Sequence, residues 1–396
     1  MLDIWNYINR GRLWRVYLRS VIKYGTAGKV LNALRTEWAY RRRRVDVRTP
    51  PYVLFIEPLY YCNLHCPLCP REQSPHARTG RNEAGRLPLD LIDSIFEELG
   101  PYLFQCHIFG NGEPMLDWPR TKYIIKAARR HRIFTLISTN CTTITPKIAD
   151  DIVTSGLDYL VCAIDGTTQA SYEKYRVGGQ FEQAFEGMRM IVESARRLRS
   201  PIALEWQYLV SAFTYPEMDR ARKMARELGI FLRFSPLAAP GDSRSKTYWH
   251  APDPAWSPPA EIGFDHDFAC YWLWRALVIN SNGQLGRCPG FSNVAELGSI
   301  NPRVTGRRLM DGVMSLYNGP VTQRARRLFR SEAPPAGIDF PEPCQSCSCF
   351  ERHHGLPLRE SDASTSSVRS VGAAGHTVEL NILPSRSSKE PEAATL

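Results

Sequence analysis

From residue 52 to residue 235 the chain alternates short apolar runs with longer amphipathic stretches. The runs YVLFIE (52–57), LFQCHIF (103–109), IFTLIS (133–138), DYLVCAI (158–164), 202–210 and 230–235 have the length and apolar content of buried strands. Between them, 88–99, 118–131, 145–155, 181–198 and 216–228 place apolar residues at the period of a helix with one buried face. Six such units predict an α/β fold, a parallel sheet with crossover helices curved into a partial (β/α)6 TIM-type barrel.

The flanks read differently. Residues 1–49 suggest about two helices, with Trp5, Ile8, Leu13, Val16, Tyr17 and Val21, then Val30, Leu31, Leu34 and Trp38, spaced for amphipathic faces. Residues 236–267 break the rhythm with six prolines and read as a connecting or active-site loop. The expected divisions are a basic helical extension (1–49), the barrel (50–235), that loop (236–267), a small cysteine-bearing domain (268–354) and a disordered tail (355–396) rich in Ser, Ala, Glu and Pro.

Composition narrows the function. No apolar run approaches the roughly 18 residues of a membrane span. The opening MLDIWNYINRGRLWR is broken by charge before a signal-peptide core can form, so a cytoplasmic location is expected. The net charge of +10 is concentrated in residues 1–50, where twelve Lys or Arg face only Asp3, Glu37 and Asp46. The barrel is nearly neutral, which argues against nucleic acid as a partner. In a reducing compartment the eleven cysteines point to metal rather than to a disulfide framework.

Cys62, Cys66 and Cys69 stand in FIEPLYYCNLHCPLCP, in the loop that leaves the first predicted strand. Three thiolates from one short loop suit three corners of a [4Fe–4S] cubane and leave the fourth iron open to a cofactor or substrate. The loop is also at the strand end where barrels place active sites. The competing readings are a zinc site built from the three cysteines and His65, or buried free thiols; zinc sites usually draw two separated ligand pairs.

CxxxCxxC with Leu68 as its apolar position, after the first strand of a six-unit barrel, resembles the radical S-adenosylmethionine (SAM) superfamily. The resemblance covers roughly residues 52–235. It implies that the open iron chelates SAM, whose reductive cleavage gives a 5′-deoxyadenosyl radical that abstracts hydrogen from substrate. Gly112, Glu113 and Pro114 of FGNGEP match the GGE-type segment that receives the SAM amino group. ISTNCT at 137–142 resembles the TNG stretch, with Cys141 replacing Gly and with Ser138 and Asn140 as candidate ribose or carboxylate contacts. AIDG at 163–166 resembles the fourth-strand SxDG, with Ala163 where Ser is frequent. Arg176 is a candidate for the SAM carboxylate, against a solvated surface arginine, and Leu68 for the adenine, against plain core. Cys106 and Cys162 read as small core residues.

Further on, Cys270, Cys288, Cys344, Cys347 and Cys349 accompany a predicted hairpin in ALVINSNGQLGRC and a terminal PCQSCSC. Spacing alone suits a four-cysteine zinc site as well as a closed iron–sulfur cluster. The CxxW, NGxLxxC, LGSI and PCxxC pattern resembles the SPASM/twitch extension of radical SAM enzymes. That implies one auxiliary [4Fe–4S] cluster on Cys270, Cys288, Cys344 and Cys347, with Cys349 as a spare thiol, a substitute ligand or a hydrogen-atom donor.

The resemblance implies a small polar or sugar-like substrate undergoing oxidation or epimerisation, and an electron donor such as flavodoxin or ferredoxin. A ribosomal-peptide maturase is the alternative; residues 1–50 lack the strand pattern of its usual peptide-recognition domain. A non-catalytic iron–sulfur redox or sensor protein is a second alternative, and needs neither an open iron nor the GNGEP and STNC segments. Residues 1–49 carry a further open choice: contact with an anionic membrane surface or acidic partner, or packing of their aromatics on the barrel wall.

Overall fold

The computed structural model describes residues 18, 20–72, 85–237, 248–256, 269–286, 288 and 296–330. These belong to one unit, Met1–Arg359; the unit Glu360–Leu396 lies outside the described residues. So do Trp5, Ile8, Leu13, Val16 and Tyr17 at one end, and Cys344, Cys347 and Cys349 at the other.

Six strands follow the expected alternation: β1 (Val53–Ile56), β2 (Gln105–Ile108), β3 (Phe134–Thr139), β4 (Tyr159–Ala163), β5 (Ala203–Val210) and β6 (Phe231–Pro236). All neighbouring pairs are parallel. The crossovers use α2 (Leu89–Leu99), α3 (Trp118–Arg130), α4 (Pro146–Thr154) and α6 (Phe181–Arg197), and α7 (Met218–Leu228) joins β5 to β6; α1 (Ala27–Arg41) precedes them all. A short α5 (Gln169–Tyr175) before α6 has too few residues to show a periodic face in the sequence. Helix ends follow local chemistry. The Thr145 side chain accepts from the Ile148 N–H to start α4, and Gly229 at φ 64° ends α7.

Three more strands extend the sheet beyond β1. β7 (Ala276–Ile279) pairs with β1 in parallel, and β8 (Gln284–Gly286) and β9 (Glu296–Ser299) continue antiparallel, in the order β6-β5-β4-β3-β2-β1-β7-β8-β9. The turn of the β7–β8 hairpin is the expected SNGQ, with Gly283 at φ 74°. The sheet does not close: β6 and β9 are its ends among the described residues.

Strand alternation divides the apolar residues between two faces. Leu54, Ile56, Cys106, Ile108, Leu160, Cys162 and Trp206 pack with the helices in the main core. Phe134, Leu136, Tyr159 and Val161 form a separate cluster on the opposite face, which Tyr24 joins. The Tyr24 hydroxyl donates to Asp158 (2.5 Å), just before β4, and the Lys29 ammonium of α1 donates to the carbonyls of His131 and Arg132 (2.7 Å each), just before β3. The N-terminal segment therefore lies across the N-terminal end of the sheet.

α1 sits there with a face opposite to the one periodicity selects. Lys29, Asn32, Thr36 and Ala39 are buried, whereas Val30, Leu31, Leu34 and Trp38 are exposed. Of the aromatics expected to pack on the barrel wall, Trp38 is exposed instead, and Trp5, Trp14 and Tyr17 lie outside the described residues. The surface under α1 presents backbone carbonyls at a helix end and a loop, which need donors rather than methyl groups. Lys29 supplies them at 131 and 132, and the Asn32 amide donates to the Pro50 carbonyl (2.9 Å). Burial and Arg132 lower the Lys29 pKa to about 8.

Candidate active site

β1, β2, β3 and β4 all deliver loops to the C-terminal end of the sheet, and four predicted segments meet there. The three cysteines occupy the loop after β1. Cys66 is buried and Cys62 and Cys69 are half-buried, with a turn from the Cys69 N–H to the Cys66 carbonyl (2.9 Å). The Cys62 sulfur accepts from the Leu64 N–H (3.4 Å) and the Asn140 amide (3.9 Å), and the Cys66 sulfur from an Arg176 N–H (3.9 Å). Burial pushes the Cys62 thiol up to about 12, with Glu113 adding to the effect, and burial raises Cys66 against the pull of Arg176. Thiols so placed ionise only with compensating positive charge, which iron would provide.

The zinc reading fits less well. His65 is exposed and pairs with Glu72 (3.2 Å). One zinc requires ligands all about 2.0–2.3 Å from one point, whereas a cubane takes each thiolate on a different iron.

The loop after β2 is locked to the cysteine loop. The Glu113 N–H donates to the Tyr61 carbonyl (2.8 Å). A Cβ on Gly112 would stand 2.0 Å from the Leu59 carbonyl oxygen, so only glycine permits this approach. The buried Glu113 carboxylate accepts from the Asn140 N–H (2.8 Å), the Thr139 hydroxyl (2.7 Å) and the Met115 N–H (3.1 Å). Burial pushes its carboxyl up and these donors pull it back. Glu113 thus ties the end of β3 to that of β2, and Pro114 is buried directly after it.

After β3, the Asn140 amide donates to Asn63 Oδ1 (3.0 Å), Asn140 Oδ1 accepts from the Thr142 hydroxyl (2.7 Å), and Asn63 donates to that hydroxyl (2.8 Å). This closed set joins the β3 loop to the residue after Cys62. Ser138 is half-buried, on the same face of β3 as Phe134 and Leu136. Cys141 holds φ 62°, the left-handed conformation that a glycine would adopt there without cost. Its carbonyl rests on α6: a Cβ on Gly187 would come within 2.1 Å of the Cys141 oxygen. Gly187→Ala is therefore expected to lower stability by about 1–3 kcal/mol, read as a drop in urea-unfolding midpoint. An unchanged midpoint would mean that the loop yields freely.

Arg176, just past α5, is half-buried against Asp165 (2.7 Å), with 13% of its side chain exposed, and the other Asp165 oxygen accepts from the Leu209 N–H (2.7 Å). Burial opposes the Arg176 charge, but Asp165 and Cys66 beside it hold the guanidinium protonated. This placement excludes the solvated surface arginine. Leu68 packs with Leu237, Trp249, Tyr175, Leu209 and Phe213 in an apolar cluster at the same end of the sheet.

The structure also brings in residues that sequence reasoning passed over. Glu57, at the end of β1, is buried and accepts from the Asn111 N–H (2.6 Å), the Ser281 N–H (3.1 Å) and the Ser281 hydroxyl (2.9 Å), linking the β2 loop to the β7–β8 turn. Glu217 gathers Thr167, Thr168 and Ser171 at the start of α5 and so orients the helix that ends at Arg176. Arg71 donates to the Leu64 carbonyl (2.6 Å) behind the cysteine loop. The only signal for Glu57 was a lone acidic residue closing an apolar strand.

Cys270 is buried just before α8 (Trp272–Arg275), which leads into β7, and Cys288 is half-buried two residues past β8. Since β8 runs back along β7, both lie toward the N-terminal end of the sheet, away from Cys62, Cys66 and Cys69.

Residues 56–199 match the radical SAM superfamily. Over 169 residues the chain is 27% identical to the AdoMet-dependent heme synthase of Methanosarcina barkeri, covering 42% of this chain and 45% of that protein. Over 192 residues it is 23% identical to the mycofactocin maturase MftC of Mycobacterium tuberculosis, covering 48% and 46%. The match spans about half the length of these relatives. The fold is shared with anSMEcpe with bound AdoMet (TM-score 0.51, 16% identity, 80% of this chain and 92% of that one). It is also shared with Streptococcus suis SuiB bound to S-adenosylmethionine (TM-score 0.53, 15% identity, 81% and 74%). The stretch that matches the radical SAM superfamily, residues 56–199, contains the three-cysteine loop at the end of β1.

Proposed function

We propose that this chain is a radical SAM enzyme in which Cys62, Cys66 and Cys69 hold a [4Fe–4S] cluster with one open iron, and which oxidises or epimerises a small polar or sugar-like substrate. The observation that carries the reading is the joining of the cysteine loop to Gly112–Glu113 and, through Asn63, to Asn140. Cluster and SAM together supply a 5′-deoxyadenosyl radical for hydrogen abstraction. The chain's own groups do the rest. Arg176, oriented by Asp165, offers a guanidinium for the SAM carboxylate, and the backbone at 112–114 with Ser138 and Asn140 borders the remaining polar groups. Leu68 and its apolar neighbours shield the adenine side from water.

Cys270 and Cys288 are proposed to hold an auxiliary [4Fe–4S] cluster with Cys344 and Cys347, with Cys349 as a spare thiol or hydrogen donor. A second reading, modification of a ribosomal peptide, is favoured by the similarity to MftC and by the fold shared with SuiB bound to its precursor peptide SuiA. Anaerobic reconstitution with iron and sulfide, followed by reduction with SAM present, should yield 5′-deoxyadenosine by mass spectrometry. Full iron loading without that product would overturn the proposal. Adding cyclitols and sugars in one series and precursor peptides in another separates the two readings by which one is consumed.

A further inference from the structure

α1 turns an apolar strip away from the protein. Val30, Leu31, Leu34 and Trp38 fall within about 100° of one another at 3.6 residues per turn, and are 40%, 48%, 63% and 48% exposed. Arg35, Arg41, Arg42 and Arg44 are exposed around it, and the Arg44 guanidinium lies 4.1 Å from the centre of the Trp38 ring. The one acidic residue of α1, Glu37, is taken up by Arg275 (2.5 Å) and the Tyr52 hydroxyl (2.7 Å). On α1 itself the face is therefore apolar and cationic; the exposed Asp46 just past Arg44 pairs with Arg48 (3.7 Å).

That combination selects among occupants. A second copy would bring its own arginines against these, and a purely apolar protein groove would strip water from guanidiniums without replacing it. An anionic bilayer surface satisfies both parts, because aliphatic and indole groups enter the headgroup layer while the arginines meet lipid phosphates. No helix among the described residues is long and apolar enough to cross a membrane, so the contact is peripheral. The location is suitable as well. α1 crosses the N-terminal end of the sheet, so a membrane there leaves the opposite end, with Cys62, Cys66 and Cys69, open to solvent and substrate.

We propose that the outer face of α1 docks on an anionic membrane surface, with Val30, Leu31, Leu34 and Trp38 in the headgroup layer and Arg35, Arg41, Arg42 and Arg44 on the lipid phosphates. The test is co-sedimentation of the full chain with vesicles of phosphatidylcholine alone or with about a third phosphatidylserine, across a salt series. Binding should require phosphatidylserine and weaken steeply with salt. Each basic residue at the surface strengthens binding about fivefold, so Arg35→Glu with Arg42→Glu should weaken it at least twentyfold. Leu34→Asp with Trp38→Ala should lower it tenfold or more at an unchanged unfolding midpoint, since both positions are exposed. Equal sedimentation with both vesicle types, no sedimentation, or unchanged binding by the apolar variant would overturn the proposal. So would a concentration-dependent dimer abolished by Leu34→Asp, which would assign the face to self-association. Because the readout is vesicle binding, none of these outcomes depends on the radical SAM activity.

Discussion

Cys62→Ala, Cys66→Ala or Cys69→Ala is expected to abolish 5′-deoxyadenosine formation in the reduced, reconstituted protein. The three thiols sit on one loop, and each is assigned to a different iron of the cluster, so losing one removes a corner of the cubane's support. Cys66→Ala would also leave the half-buried Arg176 without part of its counter-charge. The loss should be total, because a missing cluster removes the reductant of SAM itself. Retention of full SAM cleavage by any one of the three variants would remove that cysteine from the assignment. A variant with all three replaced serves a second purpose. It should still assemble about one cubane of iron and sulfide on the C-terminal cysteines if these hold an auxiliary cluster; stoichiometric zinc without iron would favour a structural site.

Glu113→Ala is expected to lower the rate of SAM cleavage about a hundredfold, the scale of a misplacement of about 1 Å in an active site. Three buried donors, the N–H groups of Asn140 and Met115 and the Thr139 hydroxyl, lose their acceptor in this variant. Leaving buried donors unpaired costs about 1–3 kcal/mol each. The relaxed β3 loop carries Asn140, which is bonded in turn to Asn63 of the cysteine loop. Glu113→Gln keeps the side-chain shape but turns one oxygen into a donor that faces an N–H or a hydroxyl, so an intermediate loss is expected. A parallel measurement of the unfolding midpoint separates the two consequences. Reduced stability with an unchanged SAM-cleavage rate would confine Glu113 to a bracing role and leave the geometry of the β3 loop to other contacts.

The order and type of β1 to β6 and their main helices were written in local pattern, because a strand buried on both faces and a helix with one buried face leave distinct periods in the sequence. The cysteine spacing likewise carried its expectation locally, since three thiolates with three and two residues between them on one loop suit three corners of a cubane. Tertiary structure decided what those segments touch. Glu113 sits in a motif, but its three donors come partly from a different strand end, and Glu57 earns its burial only from Asn111 and Ser281, 54 and 224 residues away. Pairing of β7 with β1 also joins segments far apart in the chain, which local periodicity does not encode. α1 makes the same point in reverse. Its apolar stripe was legible in the sequence, but which side faces the protein depended on the carbonyls at 131 and 132, and those demanded Lys29 rather than Leu34. Periodicity reports how a segment's own residues are arranged; the surface that meets them, and its unsatisfied hydrogen-bonding groups, exists only once the chain has folded.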